Sequence, residues 1–226
     1  MERVRRHDRD PVFPDGLSEP HKVIPVAFDG EHLEVRYHRT GWRRLSYETN
    51  DIKQRHTEAL IFIDGQHVGS FDVNEFRVAA FTSSSEFFEE MDSHTQATHN
   101  LADVICTNWE DISEISDYGD IVELNRAWMS RPFSKSGRFS AAANTLITNL
   151  LKGRSLMILK AFPLEYEGKV TDENRDLFLH RQRAMKRHYQ RIFAVSAFPG
   201  IDGESGWMYS VPEQFRGIIS PPSGRT

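Results

Sequence analysis

The residues of this chain with the clearest capacity for chemistry form a short polar loop in front of an expected helix. They combine hydroxyls, two cations, a glycine and a phenylalanine: Ser134, Lys135, Ser136, Gly137, Arg138, Phe139 and Ser140. Backbone N–H groups at a helix N-terminus favour anions, and Lys and Arg side chains pair with phosphates. The segment therefore predicts a phosphate site of the kind that holds a nucleotide-type cofactor. The alternative interpretation is an ordinary polar connection between a strand and a helix.

The composition excludes several classes of protein. Of the 226 residues, 27% are charged and 38% are hydrophobic. No run approaches the roughly 20 apolar residues of a membrane span, so we expect a soluble protein without a membrane partner. The charged N-terminus lacks the apolar segment of a signal peptide. The single cysteine, Cys106, excludes an internal disulfide and a cysteine-rich zinc site, and these features together favour a cytoplasmic location.

The chain is expected to form one domain between two flexible ends. Residues 1–20 mix charges, prolines and the turn signal Pro14-Asp15-Gly16, which is typical of a flexible arm. Residues 21–219 contain the periodic apolar patterns and form the expected domain. Residues 220–226 are rich in proline and glycine and are expected to be a flexible tail.

The first half of the domain predicts two antiparallel hairpins and then a helical region. Each hairpin consists of β-rich segments around an Asp-Gly dipeptide: Lys22–Phe28 with Leu33–Tyr37, and Ala59–Ile63 with His67–Val73. Asp-Gly between such segments is a strong hairpin signal. Apolar residues at three-to-four spacing then predict helix over Ser83–Trp109, with a break within the polar residues 92–100.

The second half of the domain predicts a crossover connection. Strands and helices alternate there: a strand at Asp120–Met129, a helix at Ser140–Leu151, a strand at Ser155–Phe162, a helix at Asn174–Phe193 and a last strand near Trp207 and Met208. Two strands joined through a helix are expected to be parallel neighbours. Antiparallel pairs are expected on either side of them. The predicted fold class is therefore α/β, with a mixed sheet and helices on both faces.

From about Ala59 to Val211 this order of elements resembles the GNAT superfamily of acetyl-CoA-dependent N-acyltransferases. In that family a strand leads into a loop patterned Gln/Arg-x-x-Gly-x-Gly/Ala, and backbone amides of the loop hold the cofactor pyrophosphate. Gly137 fits this pattern, whereas Ser134 and Phe139 depart from it.

Two further segments resemble the family. The helix that ends at Phe193 is similar to the family's Tyr-x-x-x-Gly-Phe segment, with Tyr189 at the tyrosine position and Phe193 where glycine is usual. The apolar segment Leu156–Leu164 is similar to one in uncharacterised GNAT-like bacterial proteins.

The resemblance implies an N-acetyltransferase with acetyl-CoA as its co-substrate and an unidentified amine as its acceptor. It implies that residues 134–140 bind the cofactor, with the amides of Trp128 and Met129 beside the pantetheine and thioester. It further implies that Tyr189 is the general acid that protonates the leaving thiolate, and that Glu123 is the base for the amine. The residues themselves also allow purely structural roles. Tyr189 is then a helix tyrosine with a buried ring, and Glu123 is a solvated carboxylate at a strand edge.

The departures from the family pattern favour one alternative from a different class. With Ser134, Phe139 and Phe193 at unusual positions, the chain is also interpreted as a catalytically silent GNAT-like module that binds other proteins or regulates them. Such a module would keep the fold without the chemistry, because a fold by itself does not determine an activity.

Other partners are disfavoured by the sequence. A third, weaker interpretation is a nucleic-acid-associated protein that uses the arginine-rich N-terminus and the basic helix over Arg175–Arg191. The regular interleaving of aromatic residues that serves base stacking is missing there. Asp92, His94 and His99 do not have a recognised metal-ligand spacing, so no metal is expected. The oligomeric state is left open, with a homodimer as one option.

Overall fold

A computed structural model describes residues 22–46, 49, 51–134 and 137–223. The expected arm at residues 1–20 lies outside the described residues, as do the expected loop residues Lys135 and Ser136 and the last three residues of the expected tail. All strands of the described part belong to a single sheet.

The sheet contains nine strands, counted over the described residues. Their bounds are β1 Lys22–Val26, β2 Leu33–Arg39, β3 Arg43–Arg44, β4 Ile52–Ile63, β5 Gln66–Val78, β6 Asp120–Met129, β7 Arg154–Lys160, β8 Ser196–Ala197 and β9 Trp207–Ser210. The order across the sheet is β1-β2-β4-β5-β6-β7-β9-β8, and β3 pairs with β4. Only β6 and β7 are parallel among these pairs.

Six α-helices accompany the sheet in the described part of the chain: α1 Ser84–Asp92, α2 Gln96–Asn108, α3 Ser113–Ser116, α4 Arg138–Leu150, α5 Arg175–Phe193 and α6 Gly200–Ser205. The predicted helical region at 83–109 is two helices because each has its own capping box, at Ser83 and at Thr95. None of the described helices combines the length and the apolar character that crossing a membrane requires.

Both predicted hairpins are confirmed. Asp29 and Gly30 have positive φ values of 34° and 75°, and Asp64 and Gly65 have values of 49° and 80°. Two consecutive positive φ values characterise the type I′ turn, whose twist matches that of the flanking strands. The second hairpin is longer than predicted, because β4 and β5 remain paired from Ile63 and Gln66 back to Ile52 and Val78.

The predicted crossover and the mixed sheet are also confirmed. Strand β6, helix α4 and strand β7 follow one another, and β6 and β7 are parallel neighbours. Helix α4 begins at Arg138, two residues before the predicted start. The hydrophobic pattern of the sequence did not predict β3, α3 and α6. Each has at most six residues, which is too short for a helical or strand periodicity to be recognised.

Each face of the sheet has its own hydrophobic core. Helices α4 and α5 pack on one face against residues such as Val73, Val122 and Met157. Helices α1, α2 and α3 pack on the other face against residues such as Phe76 and Ile121. We call these the α4/α5 face and the α1–α3 face. Helices therefore lie on both faces, as predicted.

Glu75 is the buried centre of an ion network on the α4/α5 face. Its side chain is 2% exposed and forms ion pairs with Arg39 at 2.5 Å and with Arg55 at 2.7 Å. Arg39 also donates a hydrogen bond of 2.9 Å to the carbonyl of Leu150, the last residue of α4. A cation at the C-terminal end of a helix is favourable. The network therefore fastens this end of α4 to β2, β4 and β5.

The end of the described chain lies against α2. Trp109 Nε1 donates to the carbonyl of Ser220 at 2.8 Å, and the Ser223 N–H donates to the carbonyl of Asn108 at 3.0 Å. Residues 220–223 of the expected tail are thus hydrogen-bonded to the α1–α3 layer.

Candidate active site

The parallel strands β6 and β7 separate halfway along β6. Their pairing ends at Leu124 and Leu159, yet β6 continues for five more residues to Met129. Beyond β7 the Ala161 N–H donates to the carbonyl of Gly206 at 2.8 Å, so the chain follows β9 and leaves β6. From Asn125 onward, β6 is therefore paired with β5 alone among the described strands.

A β-bulge marks the point of separation. Leu124 pairs with Val73 and Arg126 pairs with Asp72, so Asn125 is the extra residue of β6. A bulge adds a residue without a partner and bends the strand. It also directs Asn125 and Arg126 toward the same face, where Asn125 Nδ2 donates to Asp72 Oδ1 at 3.1 Å.

The gap between the strands contains three adjacent cavities that share lining residues, and we call this row of cavities the passage. A cavity of about 310 Å³ opens on the α1–α3 face, and one of about 210 Å³ opens on the α4/α5 face. A constriction of about 20 Å³ shares lining residues with both, including Arg126, Ala127 and Tyr189. We call the two openings the α1–α3 mouth and the α4/α5 mouth.

Backbone groups of β6 face this passage. The Ser130 N–H donates to the carbonyl of Val68 at 2.8 Å, on the β5 side. Because successive residues of an extended strand point their backbone groups in opposite directions, those of Met129 and Ala127 point away from β5 and into the gap. Of the two predicted amides, that of Met129 therefore faces the passage, whereas that of Trp128 faces β5.

The α4/α5 mouth brings together several residues that the sequence predicts as site residues. Its wall consists of residues from β6, α4, α5 and the intervening loop: Ala127, Trp128, Met129, Ser134, Phe139, Met185, His188 and Tyr189. Phe139 does not obstruct the helix start, because its ring turns into the core and lies 5.1 Å from the ring of Phe71. Ser134 is exposed, and its hydroxyl donates to the carbonyl of Arg131 at 3.0 Å.

The N-terminus of α4 begins with a glycine in the left-handed region. Gly137 has a φ of 82° and precedes the helix, and no described side chain caps the helix at this end. Among the described residues, a Cβ built at Gly137 meets only a Phe28 ring atom, at 3.7 Å. Ser140 lies half-buried in the first turn.

Arg138 is engaged by a carboxylate that the sequence did not point to. Its Nε lies 2.6 Å from Oε2 of Glu31, in the turn between β1 and β2, and a second contact makes the pair bidentate. The hydrogen bond from Arg138 lowers the pKa of Glu31. The guanidinium expected to meet a phosphate is thus held by a half-buried ion pair.

Tyr189 lies where the constriction meets the α4/α5 mouth. Its side chain is buried, and its ring packs 5.5 Å from the ring of Phe193. Burial raises the pKa of the phenol, so it stays protonated well above neutral pH. No described residue hydrogen-bonds to its hydroxyl, and the side chain lines both neighbouring cavities.

Glu123 lies at the other mouth and is a buried acid rather than a solvated one. The residue is 6% exposed, and Asn74 Nδ2 donates to its Oε2 at 2.9 Å. Burial raises the pKa of Glu123, the hydrogen bond from Asn74 opposes this, and the charge of Asp72 raises the pKa further. A carboxyl with a raised pKa is a stronger base once it is ionised.

Several residues of the passage have no signal in the sequence. Asn125, Arg126, Lys160 and Met185 line its middle because of the bulge and the direction of the chain after β7. His56 is linked to the bulge through Asp72, since its Nε2 lies 3.1 Å from Oδ2 of Asp72 and Asp72 Oδ1 accepts from Asn125.

The described residues provide no cluster of three or more His, Cys, Asp or Glu side chains suited to a metal ion. Asp92 and His99 instead form an exposed hydrogen bond of 2.7 Å with each other.

Comparisons of the chain with protein-family models, with curated proteins and with solved structures find no match. The functional argument therefore rests on the geometry of the passage and on the chemistry of the residues around it.

The buried state of Glu123 predicts a dependence of stability on pH. Because its pKa is higher in the folded than in the unfolded chain, ionisation opposes folding. The wild type should lose stability as the pH rises from the ordinary carboxyl pKa through the folded value. Glu123→Gln should therefore be more stable than the wild type at about pH 7 and should lose this advantage at about pH 3.5. Urea unfolding at both pH values measures the difference.

Glu167→Gln is the matched control, since the side chain of Glu167 is 62% exposed and lies at the same mouth. Equal stability of wild type and Glu123→Gln at both pH values would show that Glu123 is solvated in the folded protein.

Proposed function

We propose that this protein is a GNAT-type N-acetyltransferase that transfers an acetyl group from acetyl-CoA to an amine. The observation that carries the proposal is the passage between β6 and β7, which opens on both faces of the sheet. One mouth lies at the N-terminus of α4, and the other contains a buried carboxyl group. A donor and an acceptor can thus approach one reaction point from opposite faces.

The α4/α5 mouth suits the acetyl-CoA side of the reaction. The amides at the start of α4, which no described side chain caps, suit a pyrophosphate. The unpaired edge of β6 offers backbone groups at Ala127 and Met129 to the two amides of pantetheine, which can pair with it like an added strand. This arrangement directs the thioester along β6 toward the constriction beside Tyr189.

The chemistry of the transfer uses groups on both sides of the constriction. The neutral amine attacks the thioester carbonyl, and its nitrogen loses one proton to Glu123 as the C–N bond forms. The oxyanion accepts a hydrogen bond from the Ala127 amide, which points into the gap at the constriction. The C–S bond then breaks, and the thiolate takes a proton from Tyr189. Burial raises the pKa of Tyr189, so the phenol is protonated at neutral pH and holds a proton for the leaving thiolate.

Acetyl-CoA binding tests the proposal first. Calorimetric titration of the full chain should show micromolar binding of acetyl-CoA and of CoA. Gly137→Val should weaken both at least about tenfold, because a β-branched residue is strained at a φ of 82° and crowds the helix amides. Gly168→Val is the control, since Gly168 has a similar φ of 67° in open space away from α4. Absence of binding at millimolar acetyl-CoA would refute the transferase and leave an interaction module.

The ion pair between Arg138 and Glu31 predicts that removing the Glu31 carboxylate raises the affinity for acetyl-CoA. Glu31→Gln removes the carboxylate that competes with a phosphate for the guanidinium. Acetyl-CoA should then bind about two- to fivefold more tightly, in line with the modest strength of an ion pair near the surface. Glu34→Gln, which removes the partner of Arg36 in the same hairpin, should leave the affinity unchanged. A loss of affinity in Glu31→Gln would place the phosphates elsewhere.

The role of Tyr189 predicts a separation of binding from turnover. Tyr189→Phe keeps the buried ring and removes the proton donor, so kcat should fall about 100-fold while the Kd of acetyl-CoA stays unchanged. The assay measures the free thiol of released CoA, with an acceptor amine that is first found by screening a set of amines. Tyr209→Phe, in the core of the α1–α3 face, is the control. An unchanged kcat in Tyr189→Phe would remove the phenol from the mechanism.

A further inference from the structure

The α1–α3 mouth has the size and the walls of a site for a small molecule. Its cavity of about 310 Å³ is at the lower end of the range for ligand pockets. Leu124, Phe162, Leu164 and Trp207 provide apolar walls, and Asn100 and Asn125 provide amides.

The charged groups around this mouth do not all form ion pairs with one another. Arg126 and Glu167 face each other at 3.5 Å and compensate one another. Two charged groups remain, Glu123 and Lys160, and both line the cavity. Glu123 accepts its one side-chain hydrogen bond from the neutral Asn74.

Lys160 is an exposed cation without a carboxylate partner in the described part of the chain. It ends β7, and its Nζ lies 5.1 Å from the centre of the Trp207 ring. Burial lowers the pKa of Lys160, and the more distant charge of Asp202 opposes this only in part. Its ammonium group can therefore pair with an anionic group of a ligand in the cavity.

We propose that the α1–α3 mouth binds a free α-amino acid with an apolar side chain. Its carboxylate pairs with Lys160, its amino group lies at Glu123, and its side chain packs on Phe162 and Trp207. That this amino group accepts the acetyl group rests on the proposed function, whereas the binding of the amino acid does not.

Matched ligands test the proposal. The full chain without acetyl-CoA is titrated calorimetrically with phenylalanine, phenylalaninamide and phenethylamine, and with leucine, leucinamide and isopentylamine. Each set keeps the amine and the side chain and changes the carboxylate to a neutral group or removes it. The amino acid should bind at least about tenfold more tightly than its two analogues, as expected for a charge-assisted contact.

Variants of Lys160 locate the effect. Lys160→Met should abolish the preference for the amino acid, and Lys160→Arg should keep it. Lys152→Met, at an exposed lysine after α4, should behave as the wild type. Retained acetyl-CoA binding or an unchanged circular dichroism spectrum shows that Lys160→Met is folded.

The outcomes distinguish this proposal from the proposed function. Equal binding of an amino acid and its amide, or no binding of either amino acid, overturns the subsite, even if acetyl-CoA binds and another amine is acetylated. Carboxylate-dependent binding that Lys160→Met abolishes supports the subsite, even if acetyl-CoA does not bind and the transferase is refuted.

Discussion

The loss of hydrogen bonding between β6 and β7 beyond Leu124 is the constraint on which the candidate site depends. A continuous ladder would close the sheet and leave no passage. Two features prevent this, the bulge at Asn125 and the bond from Ala161 to Gly206, which holds the chain after β7 beside β9. Gly206 permits that contact, since a Cβ there would lie 2.8 Å from the Ala161 carbonyl oxygen. The opening thus results from backbone interactions on both of its sides.

The two cores of the sheet hold the chemical groups of the site apart. Tyr189 belongs to the core beneath α4 and α5, whereas Glu123 lies on the face covered by α1–α3. Each group is buried by its own layer, so its pKa is raised without direct contact with the other. The ion network at Glu75 fastens the far end of α4 and thereby fixes the direction of its N-terminus. The constriction between the layers contains Met185, whose flexible side chain can yield to a ligand.

The sequence was informative where local residues determine the structure. Asp-Gly dipeptides predicted the turns at Asp64 and Gly65, and the apolar run Leu156–Leu159 predicted a buried parallel strand, because few other conformations suit those residues. The candidate site was only partly predictable. The segment Leu124-Asn125-Arg126 carries no signal of a bulge, since a bulge depends on the register with β5. The pair of Arg138 and Glu31 spans 107 positions, so no local pattern reveals it.

A passage with two mouths on opposite faces affects the kinetic order of the proposed reaction. A ligand that enters one mouth does not cover the other, so both substrates can be bound together and leave independently. Acetyl transfer then proceeds within a ternary complex, and no acetylated enzyme is required between two half-reactions. Cys106, the only thiol of the chain, agrees with this, because it packs against the α1–α3 core and is absent from the walls of the passage.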